Sequence, residues 1–182
     1  MAARRRTNRE IGRNGMKSLR RTLMLAGALC ASLAAPAAWA AADKIVIGDI
    51  DDMSGPYADV IGPTGIEAIK MAIADFGGKV LDKPIELLTF DHQNKPALAS
   101  QKLREWADTD GLNMLLGGSN SGVSLAMSTV SKEKKIPFFA IAAAAASLTG
   151  KDCTPYMVHY GYDTTALANG TAKTILEEGG KS

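Results

Sequence analysis

The segment best suited to chemistry is G-G-S-N-S-G, residues 117–122. It follows the apolar residues 114–116 and precedes a run with helical spacing, so it should join a buried strand to the start of a helix. Free N–H groups and the positive end of the helix dipole attract a carboxylate or another anion, and the side chains of Ser121 and Asn120 add donors. The segment therefore predicts an anion-accepting loop. Helix capping by Ser119, Asn120 or Ser121 is the alternative, and it is compatible with a ligand role.

Two further loops should lie beside this one. Residues 54–57, Ser-Gly-Pro-Tyr, follow the β-branched run 44–50, and an alanine-rich turn occupies residues 140–146. Loops at the carboxyl ends of parallel strands form the ligand-binding edge of an open α/β sheet. We expect residues 54–57 to be the first wall of a binding cleft. Tyr57 either offers an aromatic face to that cleft or packs against the edge of the sheet.

The ionisable residues give little support for catalysis or metal binding. Asp49, Asp51 and Asp52 are interpreted as solvated turn charges, because adjacent strand residues point to opposite faces and no second acidic cluster completes a shell. His92 and His159 are too few for a zinc site. No motif places a nucleophile beside a base, and the glycine-rich loop lacks the lysine of a phosphate-binding P-loop. The sequence thus indicates binding rather than turnover.

Strands and helices alternate along the chain after residue 43. Apolar runs predict strands at residues 44–50, 85–90, 114–116 and 138–141, with a shorter one at 156–159. Apolar residues at helical spacing predict helices at about 64–76, 97–109, 123–135 and 164–178. Thr64 is expected to cap the first of these helices. This alternation predicts an α/β fold with a doubly wound parallel sheet.

The first forty residues are predicted to be a signal peptide. They contain eight basic residues and one acid, then an apolar run too short to span a bilayer, then Ala38-Trp39-Ala40. We expect cleavage between Ala40 and Ala41. An N-terminal membrane anchor is the alternative, and Met16 is a second possible start. Without this segment the chain has 13 basic and 18 acidic residues, down from 21 and 19, for a net charge of −5. A nucleic-acid partner therefore has no support.

Four segments in order carry a family resemblance: residues 44–59, KIVIGDIDDMSGPYAD; 85–107, IELLTFDHQNKPALASQKLREWA; 111–122, GLNMLLGGSNSG; and 134–150, KKIPFFAIAAAAASLTG. Together they resemble the leucine/isoleucine/valine-binding branch of the periplasmic solute-binding proteins of ABC importers. The resemblance covers roughly residues 43–163. It implies the first lobe of a type I periplasmic-binding-protein fold at residues 41–163, incomplete at the C-terminus. Residues 164–182 would then be a crossover helix into a second lobe that this chain does not supply.

The resemblance also implies roles for individual residues. A serine aligned with Ser121 helps to hold the substrate's carboxylate in that family. The position aligned with Ala144 is usually a threonine that grips the α-groups of an amino acid, and alanine has no hydroxyl for this. An aromatic or other hydrophobic acid, or an amide, is therefore as credible a ligand as a branched-chain amino acid. The implied ligand-binding set is Ser54, Tyr57, Ser119, Asn120, Ser121, Gly122, Ala142 and Ala144.

The resemblance implies a periplasmic binding protein that is not an enzyme and needs no cofactor. Its partners would be a small organic ligand and the permease and ATPase subunits of an ABC importer, with membrane contact only through the permease. A ligand-sensing receptor domain of the same fold, or an exported α/β enzyme, are the alternatives. Many relatives have a disulfide in this lobe, but the aligned positions here are Asn94 and Asn120. Cys153 is thus expected either to lack its partner or to be a lone buried thiol.

Overall fold

The structure, a computed structural model, describes residues 43–180. The predicted signal peptide, with its cleavage site at Ala40 and Ala41, lies outside the described residues. Six strands form one sheet in the order β2-β3-β1-β4-β5-β6. They are β1 (Ile45–Asp51), β2 (Lys79–Val80), β3 (Lys83–Asp91), β4 (Leu112–Gly117), β5 (Phe138–Ala140) and β6 (Met157–His159). None of the helices within residues 43–180 has the length and apolarity required to cross a bilayer.

The strands from β3 to β6 confirm the predicted parallel sheet, and one edge departs from it. β1 pairs in parallel with both β3 and β4, and β5 and β6 continue the parallel order. β2 pairs antiparallel with β3 through a tight turn at Leu81 and Asp82, whose φ values are +50° and +62°. Left-handed residues at both turn positions match the twist of a hairpin. The sequence did not predict β2, because two residues are too few to show periodicity.

The described residues contain four α-helices: α1 (Gly62–Asp75), α2 (Pro96–Glu105) and α3 (Ser121–Lys134) connect strands, and α4 (Thr164–Glu177) follows β6. The predicted cap at Thr64 is wrong. α1 begins two residues earlier, because a proline in the first turn presets the backbone for a helix, and the Thr64 hydroxyl donates to Ile61 O at 3.2 Å.

α2 continues into one π-helical turn, Trp106–Asp110, that ends at the left-handed Gly111. This wide turn accounts for the longer helix that the sequence predicts here.

The core lies on one face of the sheet, beneath α2 and α3. Val46 and Ile50 of β1 point to that face together with Phe138 of β5, and all three are buried. Leu103 of α2 and Met127 of α3 pack against them, both fully buried. The other helices are bound more loosely, since α1 buries only Gly62 and no residue of α4 is buried. The well-packed half of the molecule is thus the half that holds the β4–α3 loop.

Candidate ligand-binding site

The loop after β4 is bonded directly to the end of β1. The Ser119 N–H donates to Asp51 Oδ1 at 2.8 Å, and the Asp52 N–H donates to Ser119 Oγ at 3.4 Å. Ser119 is consequently buried, with only 4% of its surface exposed. Its polar groups are used inside the fold, so Ser119 supports the loop rather than facing a ligand.

The loop after β5 reaches the same place. The Ala144 N–H donates to Ser121 Oγ at 3.3 Å, which joins the first residue of α3 to the alanine-rich turn. That turn is fixed from its other side, because His159 Nε2 of β6 is 2.5 Å from Ala143 O. Ala142 and Ala144 are half-buried between these anchors. Ser121 and Ala144, which the family resemblance placed in one site, are therefore neighbours.

The start of α3 has N–H groups to offer to an anion. Asn120 is the N-cap, and its Oδ1 accepts from the Val123 N–H at 3.1 Å. The cap satisfies one donor of the first turn, while the N–H groups of Ser121 and Gly122 have no acceptor among residues 43–180. Both residues are at least partly exposed. The cap is therefore compatible with the predicted anion-accepting role of this loop, which stays a prediction.

Two aspartates organise the loop after β1. Asp52 accepts the Gly55 N–H at 2.9 Å and the Tyr57 N–H at 3.0 Å through its two oxygens. Asp91, at the end of β3, accepts the Met53 N–H at 3.0 Å and the Ser54 hydroxyl at 2.5 Å. Partial burial acts to raise the pKa of Asp91, but these hydrogen bonds outweigh it and lower the pKa below its ordinary value. Ser54 is exposed and Tyr57 half-buried, so the loop stands at the edge of the site.

The interpretation of the β1 acids as solvated turn charges is wrong. Asp49, Asp51 and Asp52 expose 1%, 2% and 0% of their surfaces. Asp49 and Asp51 are two residues apart on one strand, so they point to the same face of the sheet. Burial, followed by the charge and the hydrogen bond of Asp51, raises the pKa of Asp49 to about 8. Burial also raises the pKa of Asp51, to about 6, against the lowering effect of the Ser119 N–H. A signal was available in the sequence: acids at alternate positions of a strand share one face of the sheet, and this strand was predicted to be buried on both faces.

The histidines and the cysteine do not form a site. His92 is fully buried, which lowers its pKa despite the nearby Asp52 and Asp91. Residues 43–180 contain no group of three or more His, Cys, Asp or Glu side chains that could hold a metal. Cys153 is exposed and unpaired in this part of the chain, so the alternative of a lone buried thiol is wrong. It lies in the surface loop between β5 and β6, where no core residue covers it.

The candidate site is an open surface at the edge of the sheet. One cavity, of about 460 Å³, lies along α4, and another, of about 350 Å³, lies between α3 and residues 151–154. Neither is lined by any of the predicted ligand-binding residues. The structure brings Ser121 and the free N–H groups of α3 to the alanine-rich turn. The loop of Ser54 and Tyr57 is linked to the β4–α3 loop through Asp52 and Ser119. This arrangement can receive a carboxylate at one end and an apolar group beside it.

Comparison with known proteins places this arrangement in a family. The family model described as periplasmic binding protein matches residues 44–182. The chain belongs to the periplasmic binding protein family. A curated member, Leu/Ile/Val-binding protein homolog 6 of Brucella abortus (strain 2308), is 30% identical over 151 residues. That match covers 82% of this chain and 37% of the relative, so the chain spans little more than a third of the relative's length.

Solved structures of periplasmic binding proteins share the fold. A periplasmic binding protein from Burkholderia mallei is 56% identical with a TM-score of 0.75, over 77% of this chain and 37% of that one. A branched chain amino acid ABC transporter periplasmic ligand-binding protein from Burkholderia xenovorans LB400 is 35% identical with a TM-score of 0.70, over 75% and 36%. An R. palustris solute binding protein in complex with 4-hydroxybenzoate is 26% identical with a TM-score of 0.67, over 75% and 36%.

The predicted fold class is therefore confirmed: the chain forms part of a type I periplasmic-binding-protein lobe, here with a mixed six-stranded sheet. The proteins that it resembles are solute-binding proteins and not enzymes. These include components of ABC transporters that bind amino acids or aromatic acids. The family predicted from the four motifs is confirmed as well.

Proposed function

We propose that this periplasmic binding protein captures a small organic carboxylate in the periplasm and delivers it to the permease and ATPase subunits of an ABC importer. The observation that carries the proposal is that the N–H groups of Ser121 and Gly122 have no acceptor among the described residues, beside a Ser121 Oγ that accepts the Ala144 N–H. The Ser121 hydroxyl can still donate its own proton, and a carboxylate accepts from such groups with charge-assisted hydrogen bonds.

The ligand class proposed is a branched-chain amino acid or an aromatic acid. The Burkholderia xenovorans protein supports the first and the R. palustris protein the second, through the ligands in their descriptions. Ala144 favours the second, because it provides a backbone N–H but no hydroxyl for an α-amino group. Tyr57 supplies a half-buried aromatic ring at the edge of the site. An aromatic acid would be held by its carboxylate at α3 and by its ring at this loop.

The Ser121 hydroxyl should contribute measurably to binding. Ser121→Ala removes one charge-assisted hydrogen bond, which we expect to weaken carboxylate binding by about 1.5–3 kcal/mol, or roughly ten- to a hundredfold. The test is calorimetric titration with leucine, isoleucine, benzoate and 4-hydroxybenzoate. The protein is residues 41–182 joined to the remainder of the Burkholderia mallei homologue, which restores the length of the relatives.

Thr129→Ala is the matched control for Ser121→Ala. It deletes a hydroxyl from the same helix, where Thr129 Oγ1 donates only to Leu125 O at 3.0 Å, within the helix. Its affinity should equal that of the parent protein. If Ser121→Ala also leaves affinity unchanged while circular dichroism shows an intact fold, the carboxylate does not bind at α3. If none of the four compounds binds the parent protein, the proposed ligand class is wrong.

The proposed periplasmic location depends on removal of the first forty residues. Expressed in a Gram-negative host, the chain should reach the periplasm with Ala41 at its N-terminus, as read by N-terminal sequencing. Ala40→Phe places a large side chain where signal peptidase requires a small one, and should leave the signal attached. An unprocessed parent chain that remains in the membrane fraction would refute both the cleavage site and the location.

A further inference from the structure

Two buried carboxyl groups lie directly behind the proposed ligand loop. Asp49 and Asp51 are on the same face of β1 and within hydrogen-bonding reach of each other. Asp51 Oδ1 accepts the Ser119 N–H at 2.8 Å, whereas Asp49 Oδ2 has no partner among the described residues. Two buried carboxylates cannot both remain ionised at this separation without a compensating cation. One of them must therefore hold a proton that the other accepts.

Among residues 43–180, no cation faces this pair from the elements packed around it. The register places Thr89 and Asp91 of β3 opposite Asp49 and Asp51, and on β4 the residue opposite Asp49 is Leu116. Asp52 follows the pair, and His92 acts on Asp52 and Asp91. On α1, Glu67 and Lys70 are exposed and bonded to each other at 2.7 Å. These surrounding residues are neutral, acidic or paired with each other. None of them supplies a positive charge to Asp49 and Asp51, so only a bound proton can do so.

The pair is connected to the ligand site through three consecutive residues. Asp51 fixes the Ser119 backbone, Asn120 caps α3, and Ser121 begins the helix and accepts the Ala144 N–H. The last residue of β4, Gly117, comes so close that a Cβ there would lie 3.1 Å from Asp51 Oδ2. A second negative charge at this point would repel both the partner carboxylate and an anion bound at α3.

We propose that Asp51 is the positioning residue of the ligand loop and that Asp49 acts with it by sharing one proton. The loop holds its anion-accepting geometry while the proton is present and loosens when the proton is lost. The link from this geometry to ligand capture rests on the proposed function. The shared proton can be measured without any ligand, so an experiment can reject the shared proton and the proposed function independently.

The shared proton predicts a specific pH dependence of stability. Both folded-state pKa values are raised above those of the unfolded chain, so the stabilisation is complete at low pH and is lost as the pH rises through them. Between about pH 6.5 and 7.5 the folded pair keeps close to one proton that the unfolded chain has released. The folding equilibrium constant should therefore fall about tenfold per pH unit in this window. His92 loses any bound proton at a pH below this range, because burial lowers its pKa.

Asp49→Asn tests the proposal directly. The asparagine amide can donate to Asp51 without a titrating proton, so urea unfolding of the full chain should lose its slope between pH 6.5 and 7.5. Asp51→Asn keeps an acceptor for the Ser119 N–H and leaves Asp49 buried. Because burial is the main cause of the raised Asp49 pKa, this variant should keep a slope, moved to lower pH by the loss of the Asp51 charge. Asp59→Asn, at an exposed aspartate in the next loop, is the control and should keep the slope of the unmodified chain.

Nuclear magnetic resonance on the unmodified chain supplies a readout that does not depend on the variants folding. The carboxyl carbon resonances of Asp49 and Asp51 and the amide resonance of Ser119 should share the same titration steps, the later of them well above the ordinary aspartate range. In Asp49→Asn the Ser119 amide should lose this later step and respond only where Asp51 alone titrates. Ordinary carboxyl midpoints, or an Asp49→Asn variant that retains the tenfold slope, would overturn the shared proton. If the Ser119 amide resonance does not shift during the titration, the positioning role of Asp51 is overturned.

Discussion

Gly117→Ala should lower the free energy of unfolding by about 2–6 kcal/mol, which is the largest effect we expect from a single methyl group in this chain. Gly117 has φ +120°, a conformation that side chains rarely adopt, and a Cβ there would collide with the backbone oxygen of Ile50. The residue cannot move away, because its own carbonyl accepts the Ile141 N–H at 3.0 Å. Backbone strain and a backbone collision therefore add together.

Gly111→Ala separates these two contributions. Gly111 also has a left-handed backbone, φ +70°, but a Cβ there would have no atom within 4 Å. It should cost only the conformational penalty of about 1–2 kcal/mol. Urea unfolding monitored by circular dichroism gives both values. If the two variants were equally stable, close contact between β4 and β1 would not be what requires glycine at position 117.

Phe138→Ala should lower the free energy of unfolding by about 3–5 kcal/mol. Phe138 is fully buried in the centre of the core, where its removal would leave a cavity that the surrounding strands and α3 cannot close. The ring also supports the ligand loop, since a Cβ on Gly118 would be 3.2 Å from its Cζ atom. The variant should therefore lose order in residues 118–121 as well as stability.

Phe76→Ala provides the matched comparison. It removes the same side chain from a position that is 69% exposed, just after α1, and should change the free energy of unfolding by less than about 0.5 kcal/mol. Hydrogen exchange at residues 118–121 would report the loop. Faster exchange is expected in Phe138→Ala and not in Phe76→Ala. A Phe138→Ala protein as stable as the parent would show that the core repacks around the missing ring.

The sequence predicted the five longer strands and the four α-helices because each has a periodic run of apolar residues long enough to recognise. It did not predict β2, which consists of two residues defined by a turn and by pairing with β3. It also placed the first helix start at Thr64, since a hydroxyl residue is the commoner cap, whereas a proline in the first turn begins α1 earlier. Local features defined by fewer than three or four residues were the ones missed.

The site was predicted in part, for a related reason. Ser121, Asn120 and the alanine-rich turn were recognisable from residue types and order, and their proximity follows from parallel strands ending at one edge. The roles of Asp51 and Asp91 depend on hydrogen bonds between segments that are distant in sequence, whereas Asp52 accepts from its own loop. Asp51 and Asp52 were interpreted as solvated turn charges, because adjacent strand residues point to opposite faces and no second acidic cluster was found. Only the tertiary fold shows that backbone N–H groups surround them.

The central position of β1 has a consequence for how the chain is made. Among the described strands β1 is synthesised first, yet its two neighbours are β3 and β4, and the Val46 N–H donates to Asn113 Oδ1, 67 residues later. At about 5–20 residues per second the ribosome needs roughly 3–13 s to cover that interval. Until β3 is made, the β-branched segment of Ile45, Val46, Ile47 and Ile50 has no strand beside it, and until β4 is made one edge of β1 stays unpaired. We therefore expect nascent chains shorter than about 112 residues to aggregate or to bind holding chaperones, and longer ones to become protected.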